Sequence, residues 1–417
     1  MHLATTDVAA GQPPAALEAA GQRAYRLTAI DAVRGLAIVL MAIDHARDFF
    51  LFGTDMDPLA NPNVSTVVFA TRWITHFCAP VFVLLAGTSA GLMAARKSRR
   101  EMAGFLFTRG VWLIAVEMVL ISTAWTFSPR GIAQVGGLTW TALGVIWAIG
   151  ASMVALAGLQ WLGRRACFAL GVAVVAAHNL LDSIWPASQL LDQQWPVWVA
   201  LHSSMSTPAG PFLVVFRYPL LPWIGVMLLG FGMASLFERA PARRNTILLA
   251  AGAGVTAGFC LLRAWGIYGD PNPWQLQPGG TVATVIDFLN LSKYPPSLLF
   301  LMMTLGPAAM LCAVADRISG GIPGMVKGAL ITFGRAPFAF YVAHLYLLHL
   351  ASVLLGVLQG FSLDQMMTSS RFYPQGFGVG LPAVYLVWAL VVILLYPLCH
   401  WVAGVKARRR DWWLSYV

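Results

Sequence analysis

Apolar runs recur along almost the whole chain, separated by short polar or basic joints. They fall at roughly 31–52, 67–94, 103–124, 135–159, 165–183, 212–236, 246–267, 296–315, 329–358 and 379–403. Each has about the 20 residues a helix needs to cross some 30 Å of hydrocarbon. The pattern predicts an all-α, polytopic helical bundle of about ten transmembrane helices, or about eleven if the Gly334–Arg335–Ala336–Pro337 interruption divides the ninth run.

The joints alternate in charge. One set holds Arg23 and Arg26, Arg96 to Arg100, Arg164 and Arg165, Glu238 to Arg244, Arg317 with Lys327, and Lys406 to Arg410. The other is rich in Trp, Pro, Asn, Asp and Gln, with Trp185, Trp195, Trp198 and Trp274 among its members. Membrane proteins keep Lys and Arg on the cytoplasmic side, which places the first set and both termini there. Residues 1–25 then read as a disordered cytoplasmic tail, 26–403 as the transmembrane domain, and 404–417 as a basic cytoplasmic tail. Residues 1–22 lack the apolar centre of a signal peptide, so the first span itself serves as the targeting signal.

Composition agrees. The 417 residues are 58% hydrophobic and 11% charged, where soluble domains carry about 25% charged. The net charge of +10 comes from the basic joints, which is a topology signal and not a nucleic-acid footprint. The five cysteines lie in or beside apolar segments without metal-site spacing, so neither a metal centre nor a disulfide scaffold is expected.

The first run is the unusual one. Asp31, Arg34, Ile38, Met41, His45 and Asp48 follow one face of a helix, and Arg34 to His45 spans about 16 Å of rise. Ionisable groups facing lipid are costly, so this stripe should face protein, water or a ligand. His45, with Asp44 or Asp48 to hold its tautomer, is a candidate general base. His76, in the second run at a similar depth, is a candidate second imidazole. Arg47 adds a cation beside them.

Other polar residues extend the axis. Arg109 lies in the third run, where burial demands a partner such as Glu117 or Asp31, or a bound anion. Arg217, Lys293 and Tyr294 stand where the sixth and eighth runs begin, at the outer surface. In the ninth run Tyr341 and His344 share a face, His349 lies deeper, and Arg335 near its start joins Arg34 as a positive inner mouth for a phosphate-bearing ligand. A polar axis of this kind also suits a transporter or flippase for a lipid-linked or sugar-like substrate. A histidine–carboxylate pair suits proton abstraction from an amine or hydroxyl attacking an activated acyl group.

The pattern Arg26-x4-Asp31-x2-Arg34-Gly35-Leu36-Ala37, the second run's Phe77, Pro80, Phe82, Leu85, Ala86 and Gly87, and the Pro222–Gly225 segment together resemble the bacterial relatives of the heparan-alpha-glucosaminide N-acetyltransferase family, within the transmembrane acyltransferase superfamily. The resemblance covers residues 26 to about 400. It implies transfer of acetyl from cytoplasmic acetyl-coenzyme A to an amine or hydroxyl of an extracytoplasmic sugar or glycan, in the bacterial inner membrane. It implies His45 as base or transient acyl carrier, assisted by Asp44, Asp48 and His76. The lysosomal member carries its histidine in the loop after the first span, where this chain has none between His45 and His76. Asp31, Arg34, Arg109, Arg335, Tyr341 and His344 are then expected on the donor side. Arg47, Arg217, Lys293, Tyr294 and His349 are expected on the acceptor side. Membrane lipid is an expected partner, and small-residue helix faces permit a homodimer.

Overall fold

The structure is a computed structural model and describes residues 14–53, 65–183, 200–202, 204–318, 323–409 and 411–415. Trp185, Trp195, Trp198 and the first thirteen residues of the expected tail lie outside these. From Pro14 onward the chain already belongs to a helix, α1 (Pro14–Phe50), so the expected tail gives way to helix well before residue 25.

The described α-helices of five or more residues that follow are α2 (Thr66–Thr75), α3 (Cys78–Ala94), α4 (Arg99–Val116), α5 (Ser122–Thr126), α6 (Val145–Leu159), α7 (Arg164–Ala177), α8 (Leu220–Met233), α9 (Pro241–Trp265), α10 (Thr281–Leu289), α11 (Leu298–Ile318), α12 (Gly324–Arg335), α13 (Pro337–Leu358) and α14 (Leu381–Arg408). Among the described residues nine helical stretches are long and apolar enough to cross a membrane, and they coincide with the second to tenth expected runs. The protein is therefore a multi-pass integral membrane protein. The helix α1 supplies the first expected run. Its apolar residues Ile38, Met41, Ala42, Ala46 and Phe49 are buried, and α3, α12, α13 and α14 pack around it. A span this rich in ionisable groups is stable only at the centre of the bundle, where protein and not lipid surrounds it.

Three local rules shape the spans. Pro80 cannot donate to the carbonyl of His76, and the second run breaks there into α2 and α3. Pro337 disfavours helical geometry at the residue before it, and Ala336 takes φ −123° and ψ 43°, dividing the ninth run into α12 and α13. At Glu117–Ile121 the third span passes through a π-helical segment before α5. Such bulges admit an extra residue and often mark functional sites.

Two runs start differently from the expectation. Residues Thr139–Leu143 form strand β1, not the start of a helix, and Phe212–Phe216 form β3. With β2 (Ser206–Ala209) they make one sheet in the order β1–β3–β2. β1 and β3 run parallel from Thr139↔Phe212 to Leu143↔Phe216, and β2 is antiparallel to β3. Their threonine, valine and aromatic side chains favour a pleated, half-buried surface. At the other end of the chain the expected basic tail begins inside α14, which continues to Arg408.

Glycines set the closest helix crossing. A Cβ at Gly35 would lie 1.8 Å from the carbonyl oxygen of Leu330, and one at Gly334 would lie 1.8 Å from that of Asp31. The α1–α12 crossing is thus a backbone-to-backbone contact that no larger residue permits.

Candidate active site

Two cavities open along α1, one at each end of its polar stripe. The first, of about 190 Å³, is lined by Asp44, His45, Arg47, Asp48, Arg72, Glu117, Trp125, Arg217, Lys293 and Tyr294, with Trp140 and Val215 of the sheet and Ser369 to Arg371 at its rim. The second, of about 610 Å³, has an apolar interior and a basic mouth of Arg34, Arg109, Arg335, Lys406 and Arg409. Met41, Phe82, Val145 and Tyr341 line both. The stripe expected on α1 therefore runs from one cavity into the other, with Ile38 on the second, Met41 on both and His45 on the first.

His45 is held by another histidine, not by a carboxylate. Its Nδ1 lies 2.7 Å from Nε2 of His344, and Nδ1 of His344 lies 2.9 Å from the carbonyl oxygen of Phe340. The two rings are nearly parallel, at 13°, with centroids 5.0 Å apart. With so short an N–N separation inside that distance, the rings meet edge to edge in an in-plane hydrogen bond. A carbonyl only accepts, so His344 Nδ1 carries the proton and its Nε2, in the neutral ring, is an acceptor. His45 Nδ1 then donates, which leaves a lone pair on His45 Nε2. Trp125 packs edge-on against His45 at 5.0 Å and lies against Phe49, fixing the ring from a second side.

Asp44 and Asp48 are engaged elsewhere, which corrects the expectation that one of them orients His45. Arg72 Nη1 donates to both oxygens of Asp44, at 2.9 and 2.7 Å. Arg47 Nη2 bridges Asp44 at 2.9 Å and Asp48 at 2.5 Å, and Lys293 Nζ stands 3.9 Å from Asp44. Guanidinium groups compete for these carboxylates with charge-assisted hydrogen bonds that a neutral imidazole cannot match. Arg47 is 1% exposed, and its Nε and Nη1 have no hydrogen-bond partner among the described residues.

The loop bearing Lys293 and Tyr294 is pinned from below. Asp270 accepts from Ser297 Oγ at 2.6 Å and from the Ser292 amide at 2.9 Å, while His178 Nε2 lies 2.9 Å from the carbonyl oxygen of Pro296. The Arg217 guanidinium sits 4.9 Å over the Tyr294 ring. Burial pushes the Tyr294 phenol up, but Lys293, Arg72 and Arg217 outweigh it and hold the phenol below its ordinary range.

Glu117 has a different task from the one expected. It accepts from the amides of Gly144, Ile146 and Trp147 at 3.2, 2.9 and 3.1 Å. It thereby caps the positive N-terminus of α6 across the cavity wall. The Arg109 guanidinium lies 6.0 Å from the Phe105 ring, on the second cavity. Asp31 pairs with Arg34 at 3.3 Å and Arg335 at 3.4 Å, and Arg34 also donates to Ser89 Oγ at 3.0 Å.

Two expected residues stand apart. His76 is fully buried, with neither ring nitrogen hydrogen-bonded among the described residues, and His349 packs face to face on Phe127 at 3.9 Å with Nδ1 donating to the carbonyl of Ala124. Neither lines either cavity. Arg72, Trp125 and Arg371 were not among the expected site residues. Arg72 carried a signal, being a lone cation four residues before His76 in an apolar run. The others are apolar or loop residues that only the tertiary arrangement brings to the site.

A family model described as heparan-alpha-glucosaminide N-acetyltransferase, catalytic, matches residues 26–262, more than half of the 417. No curated protein matches the chain. The matched segment contains His45, Arg34, Arg47, Arg72, Arg109 and Arg217, while Tyr341 and His344 lie beyond it. By that match the chain belongs to the heparan-alpha-glucosaminide N-acetyltransferase family, and it is a multi-pass membrane acetyltransferase that uses acetyl-coenzyme A to modify an extracytoplasmic sugar or glycan.

Proposed function

We propose that acetyl moves directly from the coenzyme A thioester to the acceptor, with His45 as the general base. The observation that carries this reading is the His45–His344 bond at 2.7 Å, which leaves His45 Nε2 as the basic nitrogen in a cavity that adjoins the basic-mouthed one. As the acceptor amine or hydroxyl attacks the thioester carbonyl, Nε2 takes its proton. The carbon–sulfur bond breaks, and the imidazolium returns that proton to the departing thiolate, so His45 ends neutral. Two cavities meeting at one wall allow donor and acceptor to be present together, which favours direct transfer over an acetyl-histidine.

Arg34, Arg109, Arg335, Lys406 and Arg409 are suited to the coenzyme's phosphates. The apolar interior beyond them accommodates the pantetheine arm. The Lys and Arg bias of the joints supports a cytoplasmic mouth and cytoplasmic termini, and the apolar spans suit a bacterial inner membrane with lipid around them. On the far side, the buried Arg47, Arg72 and Lys293 with the half-buried Arg217 outnumber Asp44, Asp48 and Glu117, the exposed Arg371 adds a cation at the rim, and Arg47 has unused donors among the described residues. A surplus of positive charge that is largely removed from water is costly unless an anion completes it. The acceptor sugar accordingly carries a carboxylate, phosphate or sulfate.

The test is acetyl transfer by the solubilised protein from acetyl-coenzyme A to hexosamines with and without an acidic group. Acidic acceptors should be favoured, and steady-state kinetics should be sequential. His45→Ala should lower the rate by about 10²–10⁴-fold, the usual worth of a positioned acid–base group, with thermal unfolding unchanged. Normal turnover by that folded variant would remove His45 from the role assigned to it.

A further inference from the structure

Four side chains are shared by both cavities: Met41 from α1, Phe82 from α3, Val145 from the first turn of α6, and Tyr341 from the first turns of α13. We infer that this quartet is the constriction at which the acyl group crosses from the donor cavity to the acceptor cavity, and that its bore limits the acyl chain the enzyme transfers. The inference rests on the transfer reading given above and deepens it by naming what selects the donor's acyl group.

The wall is built from the interior of the bundle. Met41, Val145 and Tyr341 are 6%, 8% and 5% exposed and Phe82 is half-buried, so the side chains common to the two cavities are supplied by packed helices. Val145 stands between Gly144 and Ile146, whose amides the Glu117 carboxylate holds at 3.2 and 2.9 Å. The buried carboxylate therefore fixes the side of the wall that Val145 supplies. Tyr341 comes four residues after Pro337, which starts α13, and its ring lies 6.2 Å from that of His45. The constriction is thus immediately beside the base.

That adjacency decides where the acyl tail goes. The reacting carbonyl carbon must come within about 3–3.5 Å of the acceptor atom that His45 deprotonates. The sulfur and the rest of the donor stay on the basic-mouthed side, so the acyl tail has to lie in the wall or beyond it. Beyond it there is only about 190 Å³, already needed by the acceptor. Each added methylene must either enlarge the quartet or displace the acceptor. Apolar pockets discriminate a single methylene by about 10–200-fold.

The experiment compares acetyl-, propionyl- and butyryl-coenzyme A as donors with one hexosamine acceptor, reading the ratio of kcat/KM values. The native protein should prefer acetyl over butyryl by at least about 10-fold. Val145→Ala and Phe82→Leu should each lower that ratio about 5-fold or more, with thermal unfolding retained. Ile149→Ala, which alters the donor cavity alone, should leave it unchanged. An unchanged ratio in both folded wall variants, or a native enzyme that accepts butyryl as readily as acetyl, would overturn the inference and leave acetyl transfer standing. Absence of transfer from every thioester would overturn both.

Discussion

His344 illustrates how much of a site can depend on a residue that does not line it. The Phe340 carbonyl sets the proton on His344 Nδ1, and the resulting lone pair on Nε2 sets the proton on His45 Nδ1. We expect His344→Ala to lower kcat by about 10–100-fold, corresponding to the roughly 1.5–3 kcal/mol of a hydrogen bond to a group that becomes charged. KM for acetyl-coenzyme A should barely move. His344→Gln, whose amide oxygen can accept the same hydrogen, should recover part of the loss, whereas a simple packing role would predict no difference between the two variants. Rates across a pH series for all three proteins check this, because loss of the partner should move the acidic limb, where His45 gains its proton, and not merely lower the rate. The polar residues on α1 and the shared face of Tyr341 and His344 were legible from helical spacing alone. The His45–His344 contact was not, because periodicity says which residues share a face and nothing about which distant faces meet. The same limit explains Asp44 and Asp48: they neighbour His45 in sequence, but Arg72, on another helix, takes Asp44, and Arg47 takes Asp48.

The run positions along the chain anticipated the helices well, since an apolar stretch of membrane length has few alternatives. The helix break at Pro80 follows from a missing amide donor, and that at Pro337 from the restriction proline places on Ala336 before it. The strands did not declare themselves, because Thr139–Leu143 and Phe212–Phe216 are apolar runs continuous with the helices after them, and short apolar runs have no distinguishing period. Helix packing yields a sharper expectation. Gly334→Ala would place a Cβ 1.8 Å from the Asp31 carbonyl oxygen and 2.6 Å from its carbon, so α1 and α12 must separate. Overpacking of this kind typically costs about 1–3 kcal/mol. It would also shift Arg34, whose Nη1 donates to the Gly334 carbonyl at 3.3 Å. The variant should unfold at lower temperature and bind acetyl-coenzyme A more weakly. Gly254→Ala in α9, where a Cβ meets nothing within 4 Å, should be neutral or slightly stabilising, as expected for alanine in an open helical position. Comparing the two melting curves separates the crossing from a general intolerance of alanine.

At the scale of the whole molecule, the two cavities give the protein a direction. The basic mouth and the His45 cavity lie at opposite ends of one stripe on α1, and Arg34 to His45 covers about 16 Å of helix rise. With the coenzyme's phosphates at the basic mouth, as proposed, only the arm carrying the thioester has to cover this distance. Met41, Phe82, Val145 and Tyr341 line both cavities, and under the inferred constriction a charged acceptor would have no comparable route back. Donor and acceptor should consequently be used from opposite faces of a sealed membrane. In vesicles of known orientation with the Arg335 and Lys406 end outward, external acetyl-coenzyme A should support transfer only to acceptor trapped inside. Acceptor added outside should remain unmodified until detergent opens the vesicles. Reversing the orientation should reverse both dependences. Arg335→Ala should raise KM for the donor about 10-fold or less, as suits a half-exposed cation near a phosphate, without altering the sidedness. Equal modification of external acceptor in intact vesicles would mean that the two cavities do not divide the reaction, and that donor and acceptor enter by one mouth.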